Sequence, residues 1–283
     1  MNATEHIGLC QRLGRALFAG LAFMGAVTAR GGELTAGWVA LTNYRADEAM
    51  QVFAVGAQAA DARVAREARF GRGVALLTRQ PVTASQVEEA RELFRALAES
   101  GTDEFAQGAR FYLGRIAQHH QEQPDPEEAA RQFRQLLAEH ERSVWAQSAL
   151  GRLALLQLYA LDPGFTPAQR IAAAERLLAQ AHVPAAEGEV RVAIAEAIFY
   201  YRLPAQLALP HLLAAERLGG SDRAGRADLL LQIAELSRLA GLKAQAARYY
   251  HLFLRENPRD TANYNARMHL AEVEPPVPAP AGP

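Results

Sequence analysis

Histidine is the side chain most often set to do proton or metal chemistry near neutral pH. Two of the eight histidines in this chain are adjacent, His119-His120, with Glu122 beside them. Neighbouring residues on a helix point about 100° apart, so the pair does not converge on one metal as an i, i+4 pair does. His140, His182, His211, His251 and His269 are scattered singly, with no HExxH spacing. No GxSxG, GxGxxG or GxxxxGKS/T occurs, and FGRGVALL (Phe70–Leu77) fits none of them. The glutamate pairs Glu88-Glu89 and Glu127-Glu128 fall at helix starts, where negative charge complements the helix dipole. Cys10 is the single cysteine. The residues therefore predict a non-catalytic protein with no metal and no cofactor.

The segments around these residues have helical spacing. From about Glu33 to Val273 strong helix formers dominate, and apolar residues recur at three and four, as in Val87, Ala90, Phe94 and Leu97. Turn chemistry interrupts the pattern at RQPVTAS, ESGTDE, EQPDPEE, LDPGFTP, HVPAAEGE, RLGGSDR and ENPRD. The expectation is an all-α chain of helical hairpins. A formal net charge of −1 and a pI of about 6.7 lack the basic face of a dedicated nucleic-acid binder. Lys243 is the sole lysine.

The two ends differ from the middle. Arg12 and Arg15 precede the apolar run ALFAGLAFMGAVTA (Ala16–Ala29), which closes on Val27-Thr28-Ala29. This is the layout of a secretory signal peptide, with cleavage expected after Ala29. An uncleaved signal anchor is the rival reading, and a buried first helix a third. Cys10 precedes the apolar run, so IGLC is not a lipobox. The last stretch, EVEPPVPAPAGP (Glu272–Pro283), reads as an extended, proline-rich tail. The expected organisation is a signal at 1–29, a helical domain at 30–273 and a tail at 274–283.

Six segments share an alanine followed four residues later by a bulky side chain: Ala49/Phe53, Ala90/Phe94, Ala129/Phe133, Ala173/Leu177, Ala208/Leu212 and Ala246/Tyr250. The intervals between these alanines are 41, 39, 44, 35 and 38 residues. In the last unit Ile233, Ala234, Gly241, Ala246, Tyr250 and Pro258 fall in register with the tetratricopeptide pattern, and the chain resembles that repeat family. Phe253 departs from it, standing where the family prefers alanine. Leu113, Gly114, Ala129 and Phe133 match as well, with three extra residues in the turn. Pro210 interrupts the fifth unit and predicts a kink or a helix start, and TANYNARMHLAEV (Thr261–Val273) reads as a closing helix.

The resemblance implies a right-handed α-solenoid of about six hairpins with a C-terminal capping helix. It also implies a groove, lined by the first helix of each hairpin, that holds a peptide or a partner helix. The family's inward positions map onto Phe111, Arg115, Gln118 and His119, then Trp145, Ser148 and Arg152, then Asp228, Leu231, Glu235 and Arg238. Arginine together with Phe111 and Trp145 suits a ligand with carboxylates and an apolar anchor. The style of FAQGARFYLGRIAQ followed by EEAARQFRQLLAEH is similar to repeat proteins of the bacterial envelope, of the Tol-Pal coordinator and outer-membrane-assembly type. The expected function is an exported, periplasmic protein–protein scaffold with no nucleic-acid partner. The alternatives are an inner-membrane-anchored assembly factor and an accessory helical domain of cell-wall metabolism.

Overall fold

A computed structural model describes residues 34–219 and 223–274. The Ala16–Ala29 segment and residues 275–283 lie outside these limits. The described residues form thirteen α-helices and no strand. They are α1 (Thr35–Thr42), α2 (Ala46–Gly56), α3 (Ala62–Thr78), α4 (Ala84–Glu99), α5 (Glu104–Arg115) and α6 (Pro126–His140). After α7 (Val144–Tyr159) come α8 (Pro167–Glu175), α9 (Pro184–Tyr200) and α10 (Leu209–Leu218). The series ends with α11 (Arg223–Leu239), α12 (Lys243–Glu256) and α13 (Asn263–Val273). Because α13 runs to Val273, Glu272 and Val273 are helical, not the start of an extended tail.

Four of the turns predicted from sequence carry side-chain helix caps, at Thr83, Asp103, Asp125 and Thr166, and Asp61 caps α3 at a turn that was not predicted. The Asp61 side chain accepts from Arg63 N and Val64 N, and Asp125 accepts from Glu128 N with Pro126 in the first turn. Thr83 with Gln86, and Thr166 with Gln169, form reciprocal capping boxes. Pro210 lies in the first turn of α10, where its missing N–H costs nothing, so the helix begins there without a kink. Gly241, at φ 73°, lets the chain reverse between α11 and α12.

The chain divides within α7 into a first compact unit ending at Ala149 and a second beginning at Leu150. In the first, each helix from α1 to α6 packs on the next, and α3 also touches α1 and α5. In the second, α8 to α13 pack in the same sequential way, with α11 touching α13. This is the connectivity of a solenoid, in which each hairpin leaves an apolar face for its neighbour to cover.

The alanine–bulky pairs are the core of this arrangement. Ala49, Ala90, Ala129, Ala208 and Ala246 are fully buried, and Phe53, Phe94, Phe133, Leu212 and Tyr250 with them. Each such ring or side chain contributes about 1.5–3 kcal/mol by burial. The fourth pair differs. Helix α8 tightens into a 3₁₀ turn over Arg176–Gln180, and Leu177 there is only half-buried.

Glycines on the odd-numbered helices make room for the rings. A Cβ at Gly37 would come within 2.9 Å of Phe53, at Gly73 within 2.6 Å of Phe94, and at Gly114 within 2.5 Å of Phe133. Close helix approach therefore depends on the absence of a side chain at these points.

Candidate functional site

The residues expected to line a groove fall into three environments. Phe111 and Trp145 are packed side chains of the first unit. Their ring centroids are 5.5 Å apart, and both belong to an aromatic cluster in which Phe70 also contacts Phe94, Phe105, Tyr112 and Trp145. Arg115 and Gln118 in the first unit, and Arg152 in the second, are buried polar groups at 5%, 9% and 9% exposure. Ser148 is half-buried, and His119 is exposed at the end of a π-helical turn, Ile116–His120, that continues α5.

On α11, Asp228 is exposed, whereas Leu231, Glu235 and Arg238 are half-buried. Glu235 is committed within the fold. It accepts from Tyr250 Oη at 2.6 Å and from Arg238 Nη2 at 3.1 Å, and it meets His269 Nδ1 on α13. Arg238 also reaches Glu272 at 3.1 Å. These contacts fasten α13 onto α11 and α12.

A row of accessible chemistry that the sequence reading did not single out lies in the second unit, where α7 meets α9. Its position is set by Arg170, whose buried guanidinium donates to the carbonyls of Leu161 at 2.6 Å and Asp162 at 3.0 Å. These donors satisfy carbonyls just beyond the end of α7 and anchor the chain there. Tyr201 Oη donates to Leu158 O at 2.5 Å, tying the end of α9 to the same place. Three tyrosines gather as a result. Tyr159 lies edge-on to Tyr200 at 5.2 Å and is stacked with Tyr201 at 6.1 Å. Tyr200 is 51% exposed and Phe199 38%.

Along α9, Glu189, Val192, Glu196 and Tyr200 follow at i, i+3, i+7 and i+11, one stripe of the helix, and none of the four is buried. Glu189 rests against α7 at Gly151, where a Cβ would stand 2.6 Å from its Oε2. The residue as a whole is exposed, while its carboxylate lies close against α7. Loss of hydration therefore raises its pKa, and the Arg152 charge only partly offsets this. Among the described residues the Glu189 side chain makes no hydrogen bond. Burial also raises the Tyr159 phenol, and the Glu196 carboxylate adds to the effect.

Anionic groups beside exposed aromatic faces suit a cationic, partly apolar segment. Cation–π contacts contribute about 0.5–2 kcal/mol each, depending on how dry the site becomes. The carboxylate-bearing ligand expected from sequence relied on Arg115 and Arg152, which the fold covers. The exposed charge on α9 has the opposite sign. The signal for this site was the run IFYYR (Ile198–Arg202), an aromatic cluster at a helix end.

Among the described residues no three His, Cys, Asp or Glu side chains are placed to hold a metal ion, and no helix is long and apolar enough to cross a membrane. No known family model matches the chain, and no curated protein sequence matches it.

Proposed function

We propose that this chain is a non-catalytic scaffold that holds a basic, partly apolar segment of a partner protein on the α7–α9 face. The observation that carries the reading is the accessible row of Glu189, Glu196, Tyr159 and Tyr200 along one face of α9 and the end of α7. A lysine or arginine placed there can pair with the carboxylates while its stem lies on the tyrosine rings. The tetratricopeptide resemblance, the six alanine–bulky pairs and the sequential helix packing support a right-handed solenoid of about six hairpins closed by α13. The Arg12–Ala29 sequence supports export to the bacterial periplasm.

Fluorescence anisotropy with a labelled peptide of alternating lysine and leucine tests the assignment on the purified chain. Glu189→Lys with Tyr200→Ala should weaken binding about tenfold or more. Unchanged affinity would remove the α7–α9 face from consideration. The anchored alternative is separated by N-terminal sequencing of the mature protein, since a start at Arg30 excludes it. Peptidoglycan cleavage by the purified chain would overturn the non-catalytic reading.

A further inference from the structure

A second site lies in the first unit, far in chemistry from the first. Helices α4 and α6 flank a cleft of about 430 Å³, floored by α5 and its π-helical turn. π-turns re-aim the residues that follow them and recur at functional sites. Here the turn brings Ala117 and Gln121 to the floor.

The lining is polar and carries excess positive charge: Arg91, Arg95, Arg110 and Arg131 against the carboxylates of Glu99 and Glu128. Each arginine has an acidic neighbour, but an exchangeable one. Arg91 pairs with Glu88 at 2.8 Å, and Arg95 with Glu92, three residues back on the same helix. Arg131 pairs in the same way with Glu128. Such exposed i, i+3 pairs contribute little, so the guanidinium groups can turn to a better ligand. Arg110 approaches Glu139 only to 3.8 Å.

Gln132 identifies what else the ligand must offer. Its side chain is 9% exposed, its Nε2 donates to Glu128 Oε1 at 2.8 Å, and its Oε1 has no hydrogen-bond partner among the described residues. A buried acceptor left in this state is destabilising, because its water has been stripped without replacement. It calls for an N–H or O–H donor, whereas the arginines call for oxyanions.

We propose that this cleft binds an acidic polypeptide segment in extended conformation. A peptide supplies both chemistries at once: carboxylates for the arginine forks and backbone N–H groups for Gln132 Oε1. A bare inorganic anion offers little but acceptors. The dimensions agree. The cleft follows α4 from Arg91 to Glu99, about 12 Å at 1.5 Å per residue. Three or four extended residues at about 3.4 Å each fill that length.

The test is fluorescence anisotropy on the full chain with a labelled octapeptide of alternating glutamate and glycine. Its glutamine–glycine counterpart and inorganic pyrophosphate serve as comparisons. Arg95→Glu with Arg131→Glu should weaken the glutamate peptide about tenfold or more. Arg248→Glu with Arg255→Glu, an equal charge change on α12, should leave it within about twofold. Retention of the first variant's fold is read by circular dichroism. The glutamine peptide should not bind. Equal losses in both double variants, equal binding of the glutamine peptide, or tighter binding of pyrophosphate than of the glutamate peptide would each overturn the proposal.

Discussion

Replacing Gly114 by alanine tests the packing logic of the whole fold, because two opposed effects meet at that position. In the middle of an exposed helix the change from glycine to alanine stabilises by about 1 kcal/mol. At Gly114 the new Cβ would lie 2.5, 2.8 and 2.9 Å from three ring atoms of Phe133, where ordinary contact is 3.4–4 Å. The ring must move by about 1 Å, yet Phe133 is fully buried and its centroid lies 5.8 Å from that of Phe111. Overpacking of this kind costs about 1–3 kcal/mol. The net expectation is a loss of about 1 kcal/mol, with ~2 as the upper bound. Gly188 in α9 is the control. A Cβ there meets only Gly219 O, at 3.8 Å, so Gly188→Ala should gain about 0.5–1 kcal/mol.

Urea unfolding followed by circular dichroism reads both as shifts of the midpoint in opposite directions. Phe133→Leu in the Gly114→Ala background should recover part of the loss, a coupling of about 1 kcal/mol in a double-mutant cycle. If Gly114→Ala raises the midpoint as Gly188→Ala does, the glycine–ring interlock is refuted.

Two further outcomes concern protonation. Burial pushes the Glu235 carboxyl up, but donation from Tyr250, His269 and Arg238 outweighs it and holds the group below its usual 4.5. A depressed carboxylate contributes stability above its unfolded pKa and loses it as pH falls through the folded value. Hydrogen exchange in α13 should therefore accelerate as pH drops below 4.5, after correction for intrinsic rates, and Glu235→Gln should flatten that dependence; identical profiles would exclude the network as the fastening of α13. Burial, reinforced by the Arg115 charge, lowers the His120 imidazole from 6.5 to about 4. The unfolded chain takes up this proton first, so stability falls as pH drops from 6.5 toward 4. An NMR titration of the His120 ring should show a midpoint near 4, and a midpoint at 6.5 or above would contradict its burial beside Arg115.

The helical class was legible in the sequence because it rests on local rules. Periodicity, caps such as Thr83 with Gln86, and the proline at the start of α10 act over a few residues. The alanine–bulky pairs were legible for a related reason: a small residue one turn before a large one, recurring at intervals of 35 to 44 residues, records the same contact made repeatedly. Leu177 escaped this rule, since the 3₁₀ turn that half-exposes it leaves no mark in the alanine–leucine spacing.

Which side chains face outward was decided by the tertiary structure alone. Phe111, Trp145, Arg115 and Arg152 occupy first-helix positions that sequence alignment with a repeat pattern assigns to a groove. Their burial depends on the partners that long-range packing brings up, Phe70 and Phe133 among them for the two aromatics. Glu189 and Tyr200 gained their significance in the same way. Glu189 has no distinctive sequence neighbourhood, and although Tyr200 stands in the aromatic run Ile198–Arg202, the chemistry of both arises from Gly151, Arg152 and Tyr159 on α7, 37 to 41 residues earlier in the chain. Helix formation is a sum of local preferences, and so it can be read along the chain; exposure and electrostatic environment are properties of surfaces made by residues distant in sequence, and they exist only once the helices have packed.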